Sequence, residues 1–572
     1  MDRIVMRPHG GFQSTDGTPF FPLGGHYANI IPAGTFPLPD ADRNLVYAGQ
    51  ETEPVVDTFR ASEETWRRWF AHCRDAGFTV LRIFPRAGGY TGDEMEDSLD
   101  IGGRVNPRLW KRMDRYMQVA AEYGIRFQFL ILIEPRSTVY YDNGKTRQKF
   151  ALPQWTAEEL QRAEPFQRKF LSPDGPYLPF DGYFTDPDVR ACQRKYLREM
   201  LHLLRGDPRI FALELYNEMG WTEAMHWELE EAMIAWSNEM IGIIRETMPD
   251  VPVTISHPGL GMLGYDPVHW CRSTAIDFFS PHFYAGLLGE SEQVDFLAAV
   301  STLARYTAAV KPNFPGEWGV GGDGVTPGDT RLALRDSLWL SVCSGATGFF
   351  HWPGGPFYGA EYVKAGRILA AADLMRFPRR RADVCVDVSG AVGLLARKRE
   401  YVGSGFWDLV NFIKDDHPAA RAIRDLYAAQ VFSLATGVEL DFAADTAGYS
   451  VVLPLGEVVR QDPATLPRRF IPAPGWQVAW RAAVDFNPTL LYVRNYAPAV
   501  VGVHKRRLRC PASRPAYLDI SLPAATYLVD IYDLDAGTVR TVRVFGSSRL
   551  VLADATSHDF VLVLRSVDPA AR

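Results

Sequence analysis

Two patterns of hydrophobic residues, one typical of strands and one typical of helices, alternate along about the first 375 residues of the chain. Short runs of mostly apolar residues, typical of buried strands, are separated by longer segments in which apolar residues recur at helical spacing. Ser62 and the Asn106-Pro107 pair are typical helix starts, and Gly77 and Gly124 are typical helix ends. The predicted strands cover residues 20–27, 78–84, 125–133, 211–216, 251–256, 276–280, 312–319 and 347–352.

A helical segment follows each of these strands. Strands that alternate with helices, without hairpin signals between them, form a parallel sheet. Eight such units predict a closed (β/α)8 TIM barrel over residues 1–378. An open, doubly wound α/β sheet is the alternative, and it is disfavoured because no GxGxxG turn follows an early strand.

The pattern changes after the run Arg379–Arg381. Residues 379–475 combine an apolar stretch at 384–395, a helix at 419–436 and strands at 438–442 and 449–454, which predicts a small α/β module of flavodoxin-like outline. Residues 476–572 read as alternating strands separated by turns and predict a C-terminal β-sandwich.

Charge and composition narrow the possible partners. The chain has 572 residues, with 61 Lys and Arg against 68 Asp and Glu, and this small, sign-mixed excess argues against nucleic acid or an anionic membrane as partner. No apolar run reaches the roughly 18 residues of a membrane span. The N-terminus lacks the pattern of a secretory signal, and the six cysteines are scattered without a CxxC pair. We therefore expect a cytoplasmic protein.

The strand ends carry the candidate chemistry. In a TIM barrel the C-terminal ends of all strands face the active site, and here those ends are ionisable or aromatic. Glu218 and Glu317 end two different strands, and a pair of carboxylates is what hydrolysis of a glycosidic bond requires. Either glutamate alone could equally be a surface or salt-bridged residue. The other candidates, all predicted to bind substrate, are His26, Arg82, Glu134, Asn217, His257, His282, Tyr284, Trp318 and Trp352.

These motifs resemble clan A of the glycoside hydrolases, and most nearly family 5. The resemblance spans about residues 16–375 and implies that Glu218 is the acid/base and Glu317 the nucleophile of a retaining mechanism. Glu134 stands at strand three, where family 5 usually has a histidine, and this departure bears on the sugar that is bound. The matching residues are Arg82, the pair Asn217-Glu218, His282 and Tyr284, Glu317 and Trp352.

The residue types suit these roles. Arg82 and Tyr284 can donate hydrogen bonds that keep the Glu317 carboxylate ionised. Asn217 can bond the sugar 2-hydroxyl, and Trp352 offers an apolar face to a pyranose ring. No cofactor is expected, and no metal, because the histidines lack close ligand spacing.

The type of cleavage is predicted from the loops. The segments 28–60, 134–186 and 318–329 show no clear period, and the second is dense in aromatic residues that could form a wall. We expect a pocket and exo-action on β-glycosides or small oligosaccharides. The alternatives are an endo-β-glycanase of glucanase or mannanase type with an open cleft, an inverting hydrolase, and an inert carbohydrate-binding barrel.

The three-part layout also resembles, more loosely, the family 42 β-galactosidases, in which an α/β module mediates trimers. This resemblance implies a homo-oligomer, a trimer or dimer, assembled through residues 384–475.

Overall fold

The structure is a computed structural model of the chain. It describes residues 1–8, 10–26, 30–48, 54–84, 105, 107–132, 141–142, 178–179, 181–219, 227–257, 264–284, 296–319, 327–352, 359–377, 379–402, 411–494, 497–500, 506–509, 516–553 and 559–567.

The parallel strands close into the predicted barrel. The first strand pairs with the second and with the last, and the fifth is split into two short pieces, one paired with the fourth strand and one with the sixth. Strands seven and eight are joined by the Trp352 N–H, which donates to the Trp318 carbonyl at 2.8 Å. In chain order the barrel strands are Leu23–Gly25, Val80–Ile83, Arg126–Leu130, Ile210–Glu214, Val253–Thr254 with Ser256–His257, Ser280–Tyr284, Glu317–Gly319 and Phe349–His351.

A helix follows each barrel strand and covers it with an apolar face. The side chain of Ser62 accepts a hydrogen bond from the Thr65 N–H at the start of the first helix, and Asp186 and Asp266 cap two others in the same way. The barrel helices are Glu63–Asp75, Pro107–Ala121, Pro187–Leu204 (preceded by Gly182–Thr185), Glu230–Thr247, Pro267–Ser273, Phe296–Ala308, Pro327–Cys343 and Gly359–Ala372, with 3-10 turns at Trp227–Leu229 and Leu374–Arg376.

An antiparallel sheet of three N-terminal strands closes the lower end of the barrel. Its strands are Ile4–Met6, Phe12–Ser14 and Pro19–Phe20. The ring of Phe12 lies 4.7 Å from that of Phe211 and 5.2 Å from that of Phe278, in edge-to-face contacts. The sequence pattern did not predict this seal.

The segment after the first barrel strand is also more ordered than the sequence pattern suggested. The structure has a 3-10 turn at Asp40–Leu45 and an antiparallel sheet made of Ile30–Pro32, Val46–Ala48 and Pro54–Asp57. Ile31 and Val56 from this sheet are fully buried. They join the main core, which explains why a stretch rich in proline and polar residues is nevertheless folded.

The middle of the chain forms the predicted small α/β unit. Its three parallel strands are Val384–Asp387, Leu440–Ala443 and Val451–Pro454, with the first in the centre. Its helices are Ser389–Ala396 and Pro418–Thr436, with 3-10 turns at Lys398–Glu400, Leu455–Arg460 and Pro463–Thr465. The boundaries at 378 and 475, and assembly through this unit, stay predictions.

The predicted C-terminal β domain is confirmed as a six-stranded antiparallel sheet. One face encloses a core of its own that includes Trp480, Val529 and Leu562, and the other face contributes Leu490 and Val561 to the main core. The strands are Phe470–Pro472, Gln477–Ala482, Thr489–Arg494, Ala516–Asp533, Thr538–Ala553 and Asp559–Ser566, and a separate ladder joins Ala497–Val500 to Arg506–Arg509.

A buried arginine anchors this sheet to the barrel. Arg335 lies in the helix Pro327–Cys343 and is 1% exposed. Its guanidinium donates to Glu361 at 2.9 and 3.0 Å, to Asp535 at 2.7 Å and to Asp559 at 2.8 Å. Tyr492 donates to the second oxygen of Asp559 at 3.0 Å. Barrel and sheet therefore share one ionic cluster.

Among the described residues, no helix is long and apolar enough to cross a membrane. Glu134 and most of the aromatic insert at 134–186 lie outside the described residues. From the insert the structure gives a two-residue ladder between Tyr141–Asp142 and Leu178–Pro179 and the short helix already named.

Candidate active site

A buried ion pair forms the floor of the barrel mouth. Arg82 donates from Nε to Glu214 Oε2 at 2.6 Å and from Nη2 to Glu214 Oε1 at 2.5 Å, and both side chains are fully buried. Gln128 adds a hydrogen bond to Glu214 Oε2 at 2.8 Å. A two-point pair of this kind fixes the guanidinium plane as well as its charge.

Charge attraction outweighs burial at this pair. Burial opposes the charged form of both groups, but the Glu214 and Glu317 carboxylates raise the pKa of Arg82 above its usual range. Burial raises the pKa of Glu214, but the neighbouring Arg82 lowers it by more. The pKa of Glu214 therefore lies below its ordinary value. Both residues are therefore charged at neutral pH.

Arg82 also positions two of the predicted site residues. Its Nη2 donates to Asn217 Oδ1 at 2.6 Å, and its Nη1 donates to Glu317 Oε1. Arginine has no acceptor, so the amide oxygen of Asn217 must face it and the NH2 group must point away from it. Arg82 thus orients an amide donor and a carboxylate at once.

His282 connects the two predicted catalytic carboxylates. Its Nδ1 lies 2.8 Å from Glu218 Oε1 and 3.2 Å from Glu317 Oε2. One N–H at this nitrogen can donate to either oxygen. The ligand-type atoms of Glu218, His282 and Glu317 all lie within 4.8 Å of one another. The two glutamates, which are 99 residues apart in the sequence, therefore face each other across one imidazole.

The close approach of strands six and seven makes this contact possible. His282 and Glu317 are direct partners in the parallel ladder. The residue before Glu317 is Gly316, and a Cβ built there would lie 2.2 Å from the Ser280 hydroxyl oxygen. A larger residue would push the strands apart, so glycine is required for the distance between the imidazole and the carboxylate.

Glu218 has an unusual backbone conformation. Its φ is 49°, in the left-handed region that residues with a Cβ rarely adopt. The Glu218 N–H donates to Ser256 Oγ at 2.8 Å, and the Met219 N–H donates to the Ser256 carbonyl at 3.0 Å. Strained residues of this kind concentrate at functional sites, where neighbouring structure holds them.

Aromatic rings line another side of the mouth. The imidazole of His26 stacks on Trp352 with ring centroids 4.5 Å apart, and its ring also meets the edge of Phe84 at 4.4 Å. The guanidinium carbon of Arg82 lies 5.0 Å from the centre of the Phe84 ring. Trp352 is only half-buried, so an apolar face remains open beside the charged cluster.

Two predicted substrate-binding residues are not brought to this cluster, and these predictions are corrected. Trp318 is 1% exposed and packs in the hydrophobic core, because it alternates with Glu317 along one strand and so faces the opposite side. His257 alternates in the same way with Ser256, and its ring packs against Trp270 and Phe279. Burial, and then the nearby His282, lower the pKa of His257 to about 3. It is therefore a neutral core residue.

The remaining predictions are only partly covered. Tyr284 ends strand six and pairs in the ladder with Gly319, which places its backbone at the mouth, but its side chain is not among those that the structure describes. Glu134 lies outside the described residues entirely.

Three residues of the site were missed by sequence reasoning. Gln128 lies in the middle of an apolar strand, and Ser256 is the direct neighbour of the predicted His257. Glu214 ends strand four in the structure, but Leu215 and Tyr216 follow it, so the sequence pattern places the strand end further along the chain. A signal was available for Glu214, because an unpaired carboxylate inside an otherwise apolar strand is costly and requires a cationic partner. Arg82 has the same property in its own strand.

The trio of Glu218, His282 and Glu317 also has the atom types of a metal site. The guanidinium of Arg82, however, donates to the Glu317 carboxylate within the same cluster. Its positive charge opposes a cation there. The arrangement favours acid–base and nucleophilic chemistry by the carboxylates themselves.

Comparison with known proteins finds distant structural likenesses. No family model and no curated protein matches the chain. It is similar to a glycoside hydrolase family 5 structure from Bacteroides vulgatus, at 12% identity and a TM-score of 0.46, over 100% of this chain and 95% of that one. It is similar to an exo-β-1,4-mannosidase from Opitutaceae bacterium strain TAV5, at 15% identity and a TM-score of 0.49, over 79% and 75%.

A third similar structure is GH5_18 from Streptomyces cattleya, which was solved in complex with GlcNAc. The identity is 15% and the TM-score 0.44, over 76% of this chain and 99% of that one. These neighbours come from the family that the motifs resemble, whereas the looser resemblance to family 42 is not confirmed. At TM-scores below 0.5 the likeness is distant, so a function for this chain has to be argued from its barrel and its own side chains.

Proposed function

We propose that the chain is a retaining glycoside hydrolase in which Glu317 is the nucleophile and Glu218 the acid/base. The supporting observation is the spacing of the two carboxylates, since an oxygen of Glu218 lies within 4.8 Å of an oxygen of Glu317. Retaining enzymes hold their carboxyl groups about 5–5.5 Å apart, whereas inverting enzymes need roughly 6.5–9.5 Å to admit a water molecule. The short spacing favours a covalent intermediate.

In the first step Glu317 attacks the anomeric carbon. The bond from that carbon to the leaving oxygen breaks, and the leaving oxygen takes its proton from Glu218. Arg82 and the N–H of His282 can both donate to Glu317, which keeps it ionised and orients one oxygen for attack. The neutral sugar becomes an ester of Glu317 and the aglycone leaves.

In the second step water replaces Glu317 at the same carbon. Glu218, now a carboxylate, removes a proton from the water, and Glu317 departs as a carboxylate. His282 lies within hydrogen-bond distance of both groups, so its N–H can follow whichever carboxylate is charged. Two inversions at one carbon leave the configuration retained.

The sugar would be held by Asn217 and by the aromatic wall. Arg82 turns the NH2 group of Asn217 toward the mouth side, where it can donate to the 2-hydroxyl oxygen. The half-buried Trp352, stacked on His26, can receive the C–H face of a pyranose.

We further infer exo-action on β-glycosides or small oligosaccharides. The ordered sheet within residues 30–57 belongs to the loop that follows strand one, on the face that carries the site, and supports a walled pocket. An endo-acting β-glycanase would need a cleft open at both ends. A time course on a reduced oligosaccharide separates the two, because monosaccharide alone at early times fits the pocket and mid-chain fragments contradict it.

The mechanism is tested with variants of the two glutamates on a panel of aryl β-glycosides in gluco, galacto, manno, xylo and fuco configurations. We expect Glu317→Ala to lower kcat by roughly 10⁴-fold or more. Added azide should restore turnover and give a glycosyl azide of inverted configuration. Glu218→Ala should keep more activity on substrates with good leaving groups, which need no proton.

Glu122→Ala is the control, since Glu122 is an exposed residue that pairs with Arg67 on the outer surface. It should behave as the wild type. A wild-type product of inverted configuration, observed by NMR at early times, would contradict the retaining mechanism. Absence of hydrolysis across the panel would favour the inert carbohydrate-binding barrel.

A further inference from the structure

The left-handed backbone of Glu218 needs an explanation in terms of what holds it. A residue with a Cβ in this region of φ is strained and persists only where its surroundings enforce it. Glu218 lies just beyond strand four, with φ at 49°. A relaxed backbone would turn the side chain away from the direction that it has in the structure.

Ser256, on the neighbouring strand five, makes the contacts that enforce this conformation. Its hydroxyl oxygen accepts the Glu218 N–H at 2.8 Å. Its carbonyl accepts the Met219 N–H at 3.0 Å, and its own N–H donates to the Tyr216 carbonyl at 3.2 Å. One fully buried serine thus holds the chain on both sides of Glu218 as well as at Glu218 itself.

The hydroxyl of Ser256 also reaches the buried ion pair. It donates to the Tyr216 carbonyl oxygen at 3.3 Å, and it lies near enough to the Glu214 carboxylate to help Arg82 lower the pKa of that group. Glu214 in turn holds Arg82, which donates to Glu317. Because Arg82 holds Glu214 at two points by itself, the contact that depends on the Ser256 hydroxyl is the one with the Glu218 N–H.

We propose that Ser256 is a positioning residue for Glu218: its hydroxyl holds the left-handed backbone that turns the Glu218 carboxyl toward His282 and the leaving-group oxygen. This inference rests on the proposed function. It predicts a selective defect, because Ser256 acts on proton donation by Glu218 and not on attack by Glu317.

The chain offers a matched control at Ser280. Ser280 is the ladder partner of Ser256 on the next strand, and it is equally buried. Its hydroxyl lies beside Gly316 and not beside residues 216–219. Ser280→Ala removes the same atom from the same layer of the barrel, so a general effect of losing a buried hydroxyl will appear in both variants.

The experiment measures kcat/KM for a series of aryl β-glycosides whose leaving groups differ in pKa. This ratio reports the glycosylation step, in which a poor leaving group needs the proton of Glu218 and 2,4-dinitrophenolate does not. For Ser256→Ala we expect a loss of roughly 10²-fold on poor leaving groups and less than about threefold on 2,4-dinitrophenyl glycosides. Ser280→Ala should not change the slope of log(kcat/KM) against leaving-group pKa.

Ser256→Thr keeps the hydroxyl and should return the slope toward the wild-type value. If Ser256→Ala does not fold, Ser256→Thr still tests the proposal. A folded Ser256→Thr variant whose slope is as steep as that of an enzyme without its acid would overturn it. A thermal melt of each variant separates loss of folded protein from loss of catalysis.

The outcomes distinguish the role of Ser256 from the proposed glycosidase function. An active, retaining wild type with equal losses on all leaving groups in Ser256→Ala overturns the role of Ser256 and leaves the proposed function intact. The same selective loss in Ser280→Ala also overturns it. A wild type without glycosidase activity overturns both.

Discussion

Two buried arginines, Arg82 and Arg335, organise this molecule, and comparing them shows how one kind of ionic cluster can serve two purposes. Both are almost completely removed from water, and both donate to several carboxylates. Arg82 lies on a barrel strand, and Arg335 lies on a barrel helix where that helix contacts the C-terminal sheet. The chemistry of the pairs is the same.

The two clusters differ in the groups that contact their carboxylates in addition to the arginine. Around Arg82, one carboxylate is bound at two points, and the other, Glu317, also faces the imidazole of His282. Around Arg335, Asp559 also receives the hydroxyl of Tyr492, and burial raises its pKa to about 7 in spite of the arginine. The Glu317 carboxylate thus faces both a guanidinium and an imidazole, whereas Glu361 and Asp559 meet their arginine where a barrel helix contacts the C-terminal sheet.

Replacing Arg82 with methionine should have the largest combined effect on stability and activity. The change leaves Glu214 buried without its cation, which should lower the free energy of unfolding by about 3–5 kcal/mol. It also removes a donor from Glu317, so kcat/KM should fall by roughly 10³-fold. Denaturant titration and aryl glycoside kinetics measure the two effects.

The double variant Arg82→Met/Glu214→Leu sharpens this test. Removing both charges should recover much of the stability, since no unpaired charge remains buried. Activity should stay low because Glu317 still lacks its donor. Recovery of activity together with stability would mean that Arg82 has only a structural role.

Arg335→Met should produce the next largest effect, and on stability alone. Three carboxylates lose their common cation, and we expect unfolding to become easier by about 3–5 kcal/mol. In the folded fraction kcat/KM should remain within about threefold of the wild type. A parallel fall in kcat/KM would show that the junction influences the mouth of the barrel.

A smaller, pH-dependent effect is expected at Asp559. Its pKa rises from 3.8 to about 7 on folding, so the folded state binds the proton more tightly than the unfolded chain does. The resulting stability is fully present below about pH 4 and is lost as the pH rises through about 7, by at most about 4 kcal/mol. Asp559→Asn should flatten this part of the curve.

The measurement is a set of urea midpoints for the wild type and Asp559→Asn between pH 4 and 8. The difference between the two curves isolates Asp559 from its acidic neighbours Asp535, which shares Arg335, and Asp336, which pairs with Arg494. Stability of the wild type that rises over this interval relative to the variant would contradict the prediction.

The smallest expected effect concerns Gln128, which supports the pair at the mouth from one side. Gln128→Met removes one hydrogen bond to the charged Glu214, at a cost of about 2 kcal/mol in stability. Because Arg82 keeps its two-point contact with Glu214, kcat/KM should fall by no more than about tenfold. A fall as large as that of Arg82→Met would mean that Gln128 sets the charge of the site.

The barrel could be predicted from the sequence because strand patterns and helix patterns alternate regularly along the chain. Short apolar runs and helical segments alternate, and Ser62 caps a helix where the pattern placed it. The catalytic candidates Glu218 and Glu317 were found because a carboxylate at the end of an apolar strand is conspicuous. Strands that are buried on both faces hide the orientation of polar residues within them, so the partnership of Arg82 with Glu214 did not appear in the pattern.

Two errors could have been avoided. Neighbouring residues of a strand face opposite sides, so Glu317 and Trp318 could not both face the mouth, and the same holds for Ser256 and His257. The N-terminal sheet, by contrast, could not have been predicted from the alternation of residues along a strand. Its strands are only two or three residues long, and their partners are distant in the sequence, so no local pattern announces them.

The seal made by Phe12 has a consequence for the order in which the molecule is built. Its ring contacts are with residues that a ribosome adds up to about 300 residues later, since Phe12 touches Phe211, Phe278 and Phe314. At about 5–20 residues per second, the N-terminal sheet waits roughly 15–60 s for its last partner. During that interval its apolar side faces water or a chaperone. The first residues to be made are thus among the last to be buried.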